Sequence, residues 1–330
     1  IRSKTSKPLG AGPYVFDKYE NGVVSLKANP YYDQGEPKTK NLRMSYINQS
    51  DYINSILAGT ADVANPSYTN EIADAIKKAN SNGEVSGDKI YTVAVDALGY
   101  GYIGMNSHNI SVNKEPGSDA SKNLRRAFAT IFSVYRDLAV STYYGDRASV
   151  INYPISNTSW AAPQPTDEGY EIAFSRDVNG DPIYTSGMTD EEKYAAAKKA
   201  ALGFFEAAGY KVENGKIVSA PEGAKMEYTV MVPGGGTGDH PSFMIMTEAQ
   251  KALADIGMKL TINDLSNVSD MWNKIQAGQA EIWCAAWQST PDPDMYQVYY
   301  SDVANGGKQH GGSTYHYQIE DADLDSMILQ

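Results

Sequence analysis

Met226-Glu227-Tyr228-Thr229-Val230-Met231-Val232 begins the stretch on which the fold turns. Met226, Tyr228, Val230 and Val232 alternate with Glu227, Thr229 and Met231, the period-two pattern of a strand. A glycine loop follows, Gly234-Gly235-Gly236-Thr237-Gly238. From Pro241 the period becomes helical. Phe243, Met246, Ala249, Leu253 and Ile256 share one face, and Gly257 stands where a helix stop needs a left-handed residue. Met258, Leu260 and Ile262 alternate again, and Val268, Met271, Trp272 and Ile275 form a second helical face ending near Gly278. Ile282 to Trp287 is a nearly unbroken apolar run, as expected of a strand buried on both faces.

Strands separated by single helices favour right-handed crossovers and a parallel sheet. Parallel strands would place the loops after Val232 and after Trp287 on one carboxyl edge, where open α/β sheets bind ligands. The segment Trp287-Gln288-Ser289-Thr290-Pro291-Asp292-Pro293-Asp294 would supply that edge with one aromatic face and two carboxylates on a stiffened turn. Trp287 reads either as core packing or as a ligand-stacking ring, and its place at the edge favours the second. Trp272 and Trp283 read as core, and Trp160 as a loop anchor or a contact across a cleft.

The 330 residues can bury a sizeable core and are expected to make two domains. A net charge of -12 with no basic run argues against nucleic acid or an anionic membrane as a partner, since phosphate contacts need clustered Lys and Arg. The single cysteine, Cys284, allows no intrachain disulfide and reads as a small core hydrophobe. No apolar run is long enough to span a bilayer. The chain opens on the polar Ile1-Arg2-Ser3-Lys4-Thr5, so the signal of an exported protein would lie outside this sequence. Tyrosine outnumbers phenylalanine 24 to 7, which suits a wet surface that meets polar ligands.

Earlier in the chain, Tyr14-Val15-Phe16, the turn Glu20-Asn21-Gly22 and Val23 to Leu26 predict a hairpin. Leu42 to Ile47 and Ala61 to Ala64 read as strands. Helices are expected after the Ser50-Asp51 cap and over Glu71 to Ala79. Ile90 to Met105 is a long β-type run with Gly99, Gly101 and Gly104, able to bend and pass between domains. Asp119 or Ser121 would cap a helix whose stripe is Leu124, Phe128, Ile131, Tyr135 and Leu138. Residues 145–188 look irregular, Thr189 and Glu192 form a capping box, and the Tyr-rich 296–317 segment reads as loop or short helix.

Enzyme signals are poor: there is no Gly-x-Ser-x-Gly, His-Glu-x-x-His or Cys-x-x-Cys. The loop at 234–238 lacks the Gly-Lys-Ser/Thr ending of a phosphate loop, although its free N–H groups would suit an anion. Of His108, His240, His310 and His316 only the last two are near each other, and no metal site is expected. Asp292 and Asp294 would serve a hydrolase as an acid/base pair. Their spacing around a proline makes turn and helix-capping roles the plainer reading.

Several stretches together resemble the solute-binding proteins of ABC importers, in the oligopeptide/dipeptide-binding family. They are Gly10-Ala11-Gly12-Pro13-Tyr14, Leu26-Lys27-Ala28-Asn29-Pro30-Tyr31-Tyr32, Leu57-Ala58-Gly59-Thr60-Ala61-Asp62-Val63-Ala64, Tyr102-Ile103-Gly104-Met105-Asn106, Leu124-Arg125-Arg126-Ala127-Phe128, Ala207-Ala208-Gly209-Tyr210, and Trp287 with Pro291-Asp292-Pro293. The matches keep family order across nearly the whole chain. The resemblance implies an α/β, periplasmic-binding-protein-like (type II) two-lobe fold with lobe one incomplete. Residues 1–97 would be part of lobe one, 98–317 lobe two, and 318–330 a return segment toward lobe one.

It also implies an extracytoplasmic monomer, in the periplasm or anchored at the cell surface. Such a protein captures a solute, foremost a peptide, between its lobes and delivers it to a membrane permease, with no cofactor and no catalysis. Family members often carry an acid shortly after the tryptophan; here Gln288-Ser289-Thr290 stand in that region, which keeps an oligosaccharide ligand as the alternative. The expected ligand-binding residues are Trp287, Asp292, Tyr100, Tyr102 and Asn106. Arg125 is expected to be structural, serving a carboxylate or loop carbonyls.

Overall fold

The hairpin turn is made by two residues with positive φ, Asn21 at 50° and Gly22 at 77°. A two-residue connection between twisted strands requires that pair of angles. In this computed structural model, which describes residues 8–238, 240–312 and 314–330, β1 (Tyr14–Glu20) and β2 (Val23–Ala28) pair antiparallel around the turn, and β3 (Asn41–Ser45) adds to the free side of β2. The Asn29-Pro30-Tyr31 motif closes the open end. Asn29 Nδ2 donates to Gly12 O at 2.9 Å, and its Oδ1 accepts from Tyr31 N at 3.0 Å.

Two helices follow, α1 (Tyr52–Leu57) and α2 (Asn70–Ala79). Ile72 and Ile76 of α2 pack with Ile90 and, at the margin, with Ile53 and Ile56 of α1. Buried Asn80 holds the loop behind them: its Nδ2 donates to Glu84 O and Ile90 O, and its Oδ1 accepts from Lys89 N and Ile90 N.

One expected strand is absent here and another is shortened. Residues 61–64 and 90–98 are irregular, and only Gly99–Met105 of the long run is a strand, β4. Alternation shows that a segment would fit a sheet; it does not supply a neighbour to bond. Tyr91, Val93 and Val95 are accordingly 80%, 68% and 82% exposed.

The chain divides into two units, one ending at Val93 and the other running from Ala94 to Gln330. The second is built on the stretch read first. β7 (Glu227–Val232), α6 (Pro241–Asp255) and β8 (Lys259–Asp264) form a parallel crossover, with Tyr228 opposite Leu260 and Val232 opposite Asp264. Gly257 ends the crossover helix at φ 88°, and a Cβ there would lie 2.5 Å from Ile217 O, so the turn needs glycine twice over. α7 (Val268–Gln276) then leads to β9 (Ile282–Gln288), parallel to β7 on its other side. β4 closes the sheet antiparallel to β9, giving the order β4-β9-β7-β8.

Both faces of this sheet are covered along the inner half of β9, where Ile282, Trp283 and Cys284 are buried; further out Ala286 and Gln288 are exposed, so the apolar run is buried on both faces only as far as Cys284. On one face Val230, Val232, Ile282 and Cys284 pack against α6, α3 (Asp119–Ser133) and α5 (Asp190–Ala207). Burial pushes the Cys284 thiol up to about 12. On the other face Trp283 and Met231 meet Met271 and Ile275 of α7.

The cap of α3 is Ser118 rather than Asp119 or Ser121; its hydroxyl accepts from Ser121 N at 3.2 Å. The stripe also breaks sooner than its period suggests. The helix ends at Ser133, and Leu138, on α4 (Arg136–Tyr144), is 38% exposed. Thr189 and Glu192 form the expected capping box on α5. β5 (Lys211–Glu213) and β6 (Lys216–Ser219) add a small hairpin. Arg125 donates to the carbonyls of Ser107, Ile110 and Pro116, and burial lowers it to about 10.

The chain closes with α8 (Tyr296–Tyr299) and α9 (Ala322–Ile328). Residues 318–330 lie against the second unit: buried Asp325 accepts from Ser301 N, Ser301 Oγ and Val303 N.

Candidate functional site

Residues directly opposite in an antiparallel pair point to the same face. Tyr100 faces Trp287, Tyr102 faces Ala285 and Gly104 faces Trp283, so one face of the β4–β9 pair is lined by four large rings. Gly104 makes this possible, since a Cβ there would lie 2.5 Å from the Trp283 ring. Tyr102 and Trp287 stack with centroids 5.7 Å apart and planes 8° from parallel. Tyr317 lies over Trp283 at 5.6 Å and beside Tyr299 at 5.4 Å, while His316 lies parallel to Trp287 at 6.2 Å.

The polar tips of these rings are tied together. Trp283 Nε1 donates to Tyr102 Oη at 3.3 Å, and Trp287 Nε1 donates to Tyr317 Oη at 3.1 Å. Burial pushes the Tyr100 hydroxyl up to about 12 and raises those of Tyr299 and Tyr317 as well. The result is an aromatic wall joined by two hydrogen bonds, with Tyr100 and Trp287 at its outer end and Trp283 fully buried at its inner end.

Two segments border the outer end. Gln288 leads into the Pro291-Asp292-Pro293 turn, where Thr290 Oγ1 donates to Asp292 O at 3.0 Å and Asp292 itself is exposed. Asp294 Oδ1 accepts from Tyr296 N at 2.7 Å, the helix-start role that its position suggested. The second segment is the 156–162 loop: Thr158 Oγ1 donates to Ala97 O at 3.2 Å, and Trp160 Nε1 donates to Pro291 O at 3.1 Å.

Of the five residues expected to bind ligand, the structure brings Tyr100, Tyr102 and Trp287 together, with Asp292 on the adjoining turn. Asn106 is not with them. It lies beyond the far end of β4, buried, with Oδ1 accepting from His108 N and Asn109 N and Nδ2 donating to Gln318 Oε1. Its side chain is fully engaged in holding the chain there.

The glycine loop after β7 is also spoken for. Asp264 Oδ2 accepts from Gly238 N at 2.8 Å, placing a carboxylate where an anion would have to bind. A cavity of about 480 Å³ beside His108 is lined also by His310, His316, Gln318 and Glu320. His108 Nε2 lies 3.1 Å from Glu320 Oε1. Among the described residues no three His, Cys, Asp or Glu are grouped to hold a metal ion.

Tyr299, Tyr317 and His316 complete the wall, and periodicity could not have found them. They stand in an irregular segment, and their only signal was its tyrosine content.

A family model described as bacterial extracellular solute-binding proteins, family 5 Middle, matches residues 2–309. Among solved structures, the oligopeptide-binding protein AppA from Bacillus subtilis, in complex with a nonapeptide, is 20% identical with a TM-score of 0.68; the match covers 98% of this chain and 55% of that one. The periplasmic binding protein DppA from Helicobacter pylori, in complex with the peptide STSA, is 16% identical at TM-score 0.60, covering 99% and 52%. A mannohexaose-bound oligopeptide-binding protein from Thermotoga maritima is 14% identical at TM-score 0.64, covering 99% and 56%. The chain thus spans just over half the length of the structures it matches. A comparison with curated proteins gave no match.

Proposed function

The chain belongs to the bacterial extracellular solute-binding proteins of family 5, with the mixed α/β fold of type II periplasmic binding proteins, and from that premise we propose that it captures short peptides for an ABC importer. The family consists of transport binding proteins rather than enzymes. The observation that carries the peptide reading is the wall of Tyr100, Tyr102 and Trp287 beside the Asp292 turn. Apolar ring faces suit peptide side chains, phenol hydroxyls suit peptide carbonyls, and an exposed carboxylate suits a free amino terminus. A charge-assisted bond of the last kind contributes roughly 1.5–3 kcal/mol. The protein would act outside the cytoplasm as a monomer, hand its solute to a membrane permease, and do no chemistry on it. No helix among the described residues is long and apolar enough to cross a membrane.

Calorimetry with one peptide in free and N-acetylated forms tests this reading. The free form should bind at least about tenfold more tightly, as expected from the loss of one such bond, and Asp292→Asn should remove most of the difference. Equal affinity for both forms would remove the ammonium site.

An oligosaccharide is the second reading. The same rings would stack on sugars, Gln288-Ser289-Thr290 put no acid just after Trp287, and one similar structure holds mannohexaose. Binding of an oligosaccharide beside no binding of either peptide form would establish it.

A further inference from the structure

Trp160 is 81% exposed, yet its N–H is committed to the Pro291 carbonyl. The loop that carries it is pinned on its other side to Ala97 and seated on buried Ser156, Ser159 and Ala162. Ser159 N donates to Ser156 O at 2.9 Å and Ala162 N to Ser159 O at 3.2 Å, so the backbone on both sides of the ring is turned and held. An indole left in water gains nothing from burial, and its N–H would be satisfied by water without the protein's help. Held by its edge, it presents a large apolar surface at little further entropic cost on binding. Its two anchors flank the outer end of the β4–β9 pair, where Ser289 N donates to Leu98 O at 2.8 Å. The ring therefore stands at the same edge as Tyr100 and Trp287.

The segments that hold it carry charge of one sign. Residues 94–98, 156–162 and 289–295 contain Asp96, Asp292 and Asp294, all exposed, and no lysine or arginine. An indole face attracts a cation, and carboxylates on the segments that hold the ring add to a negative field at this end of the sheet.

We propose that Trp160 is a ligand-stacking residue of this site, and that it selects peptides bearing an arginine or lysine side chain whose cationic group lies over the indole. This rests on the peptide reading above and narrows it. Arginine should be preferred, because a planar guanidinium stacks on a ring while a strongly hydrated ammonium does not.

The test is calorimetry with a set of tetrapeptides in which arginine, lysine or citrulline is moved through each position. The partners are the unaltered protein, Trp160→Ala and Trp160→Tyr. At the best position arginine should exceed citrulline by about tenfold, the middle of the range for a partly desolvated cation over a ring. Trp160→Ala should abolish that ratio by weakening the arginine peptide about tenfold more than the citrulline peptide; Trp160→Tyr should retain part of it. An unchanged melting temperature would show that the loop variants fold. Arginine and citrulline peptides binding alike, or Trp160→Ala weakening both equally, would overturn the assignment of Trp160 and leave the peptide reading standing. Absence of binding by every peptide would overturn both.

Discussion

The two units of this chain use the same kinds of pattern and obtain different amounts of core from them. In the second unit the sheet β4-β9-β7-β8 is covered on both faces along its middle, and Val230, Val232, Ile282, Trp283 and Cys284 are almost wholly removed from water. In the first, β2 and β3 also carry alternating apolar residues, Val24 and Leu26 in one and Leu42 and Met44 in the other, yet no residue of β1, β2 or β3 is buried. The burial there comes instead from Ile72, Ile76 and Ile90 around α2. Alternation decides which side of a strand would face a core. Only a second layer turns that side into buried area, at roughly 25 cal/mol per Å² of apolar surface.

The sharpest way to break this contrast is at Trp283, which is fully buried and hydrogen-bonded to Tyr102. Trp283→Ala should cost about 3–5 kcal/mol, as large-to-small core changes do. It can be measured by urea unfolding followed by circular dichroism; a loss below about 1 kcal/mol would mean that the aromatic face is not core.

Arg125→Ala comes next. It strips a partly buried guanidinium from three carbonyls, and should destabilise by about 2–3 kcal/mol. Ligand affinity should stay the same once the protein is folded. Weaker binding at an unchanged melting temperature would make Arg125 a ligand contact instead.

The smallest effect should come from the first unit. Leu26 is only half-buried in β2, opposite Phe16 and Leu42, so Leu26→Ala should cost no more than about 1 kcal/mol. All four tryptophans, Trp160, Trp272, Trp283 and Trp287, lie beyond Ala94, so their fluorescence reports the second unit alone. The Leu26 variant should leave that transition in place; a shifted tryptophan transition would show that the two units do not unfold independently.

The region from Glu227 to Gln288 is legible because its changes of period coincide with local signals, Pro241, Gly257 and Gly278 at three of them and the Asn267 cap at the start of α7. The hairpin at Asn21-Gly22 and the Thr189 capping box were legible for the same reason: their chemistry is local. Ile90 to Val95 misled because a strand is defined by a neighbour, and neighbours are not local. Ser118 was passed over for Asp119 since either side chain can cap, and only backbone angles decide between them. Within the candidate site, Tyr100 and Trp287 could be seen on their strands, but their meeting depends on antiparallel register, which no stretch of sequence displays alone. Asn106 shows the converse, a motif residue whose local chemistry is loop closure.

The antiparallel setting of β4 beside β9 also has a mechanical meaning. The segment entering β4 and the segment leaving β9 emerge from the same end of the pair, which is the end that carries Tyr100 and Trp287. A load applied there acts as on the open end of a zipper, parting one hydrogen bond at a time, with Ser289 N to Leu98 O the first in line. A load in shear would have to break the whole row at once. The outer rungs can therefore yield and reclose while the rung at Gly104 and Trp283, locked beneath a buried indole, stays shut. On the peptide reading, a rim that opens in small steps over a closed inner rung would adjust to ligands of different girth.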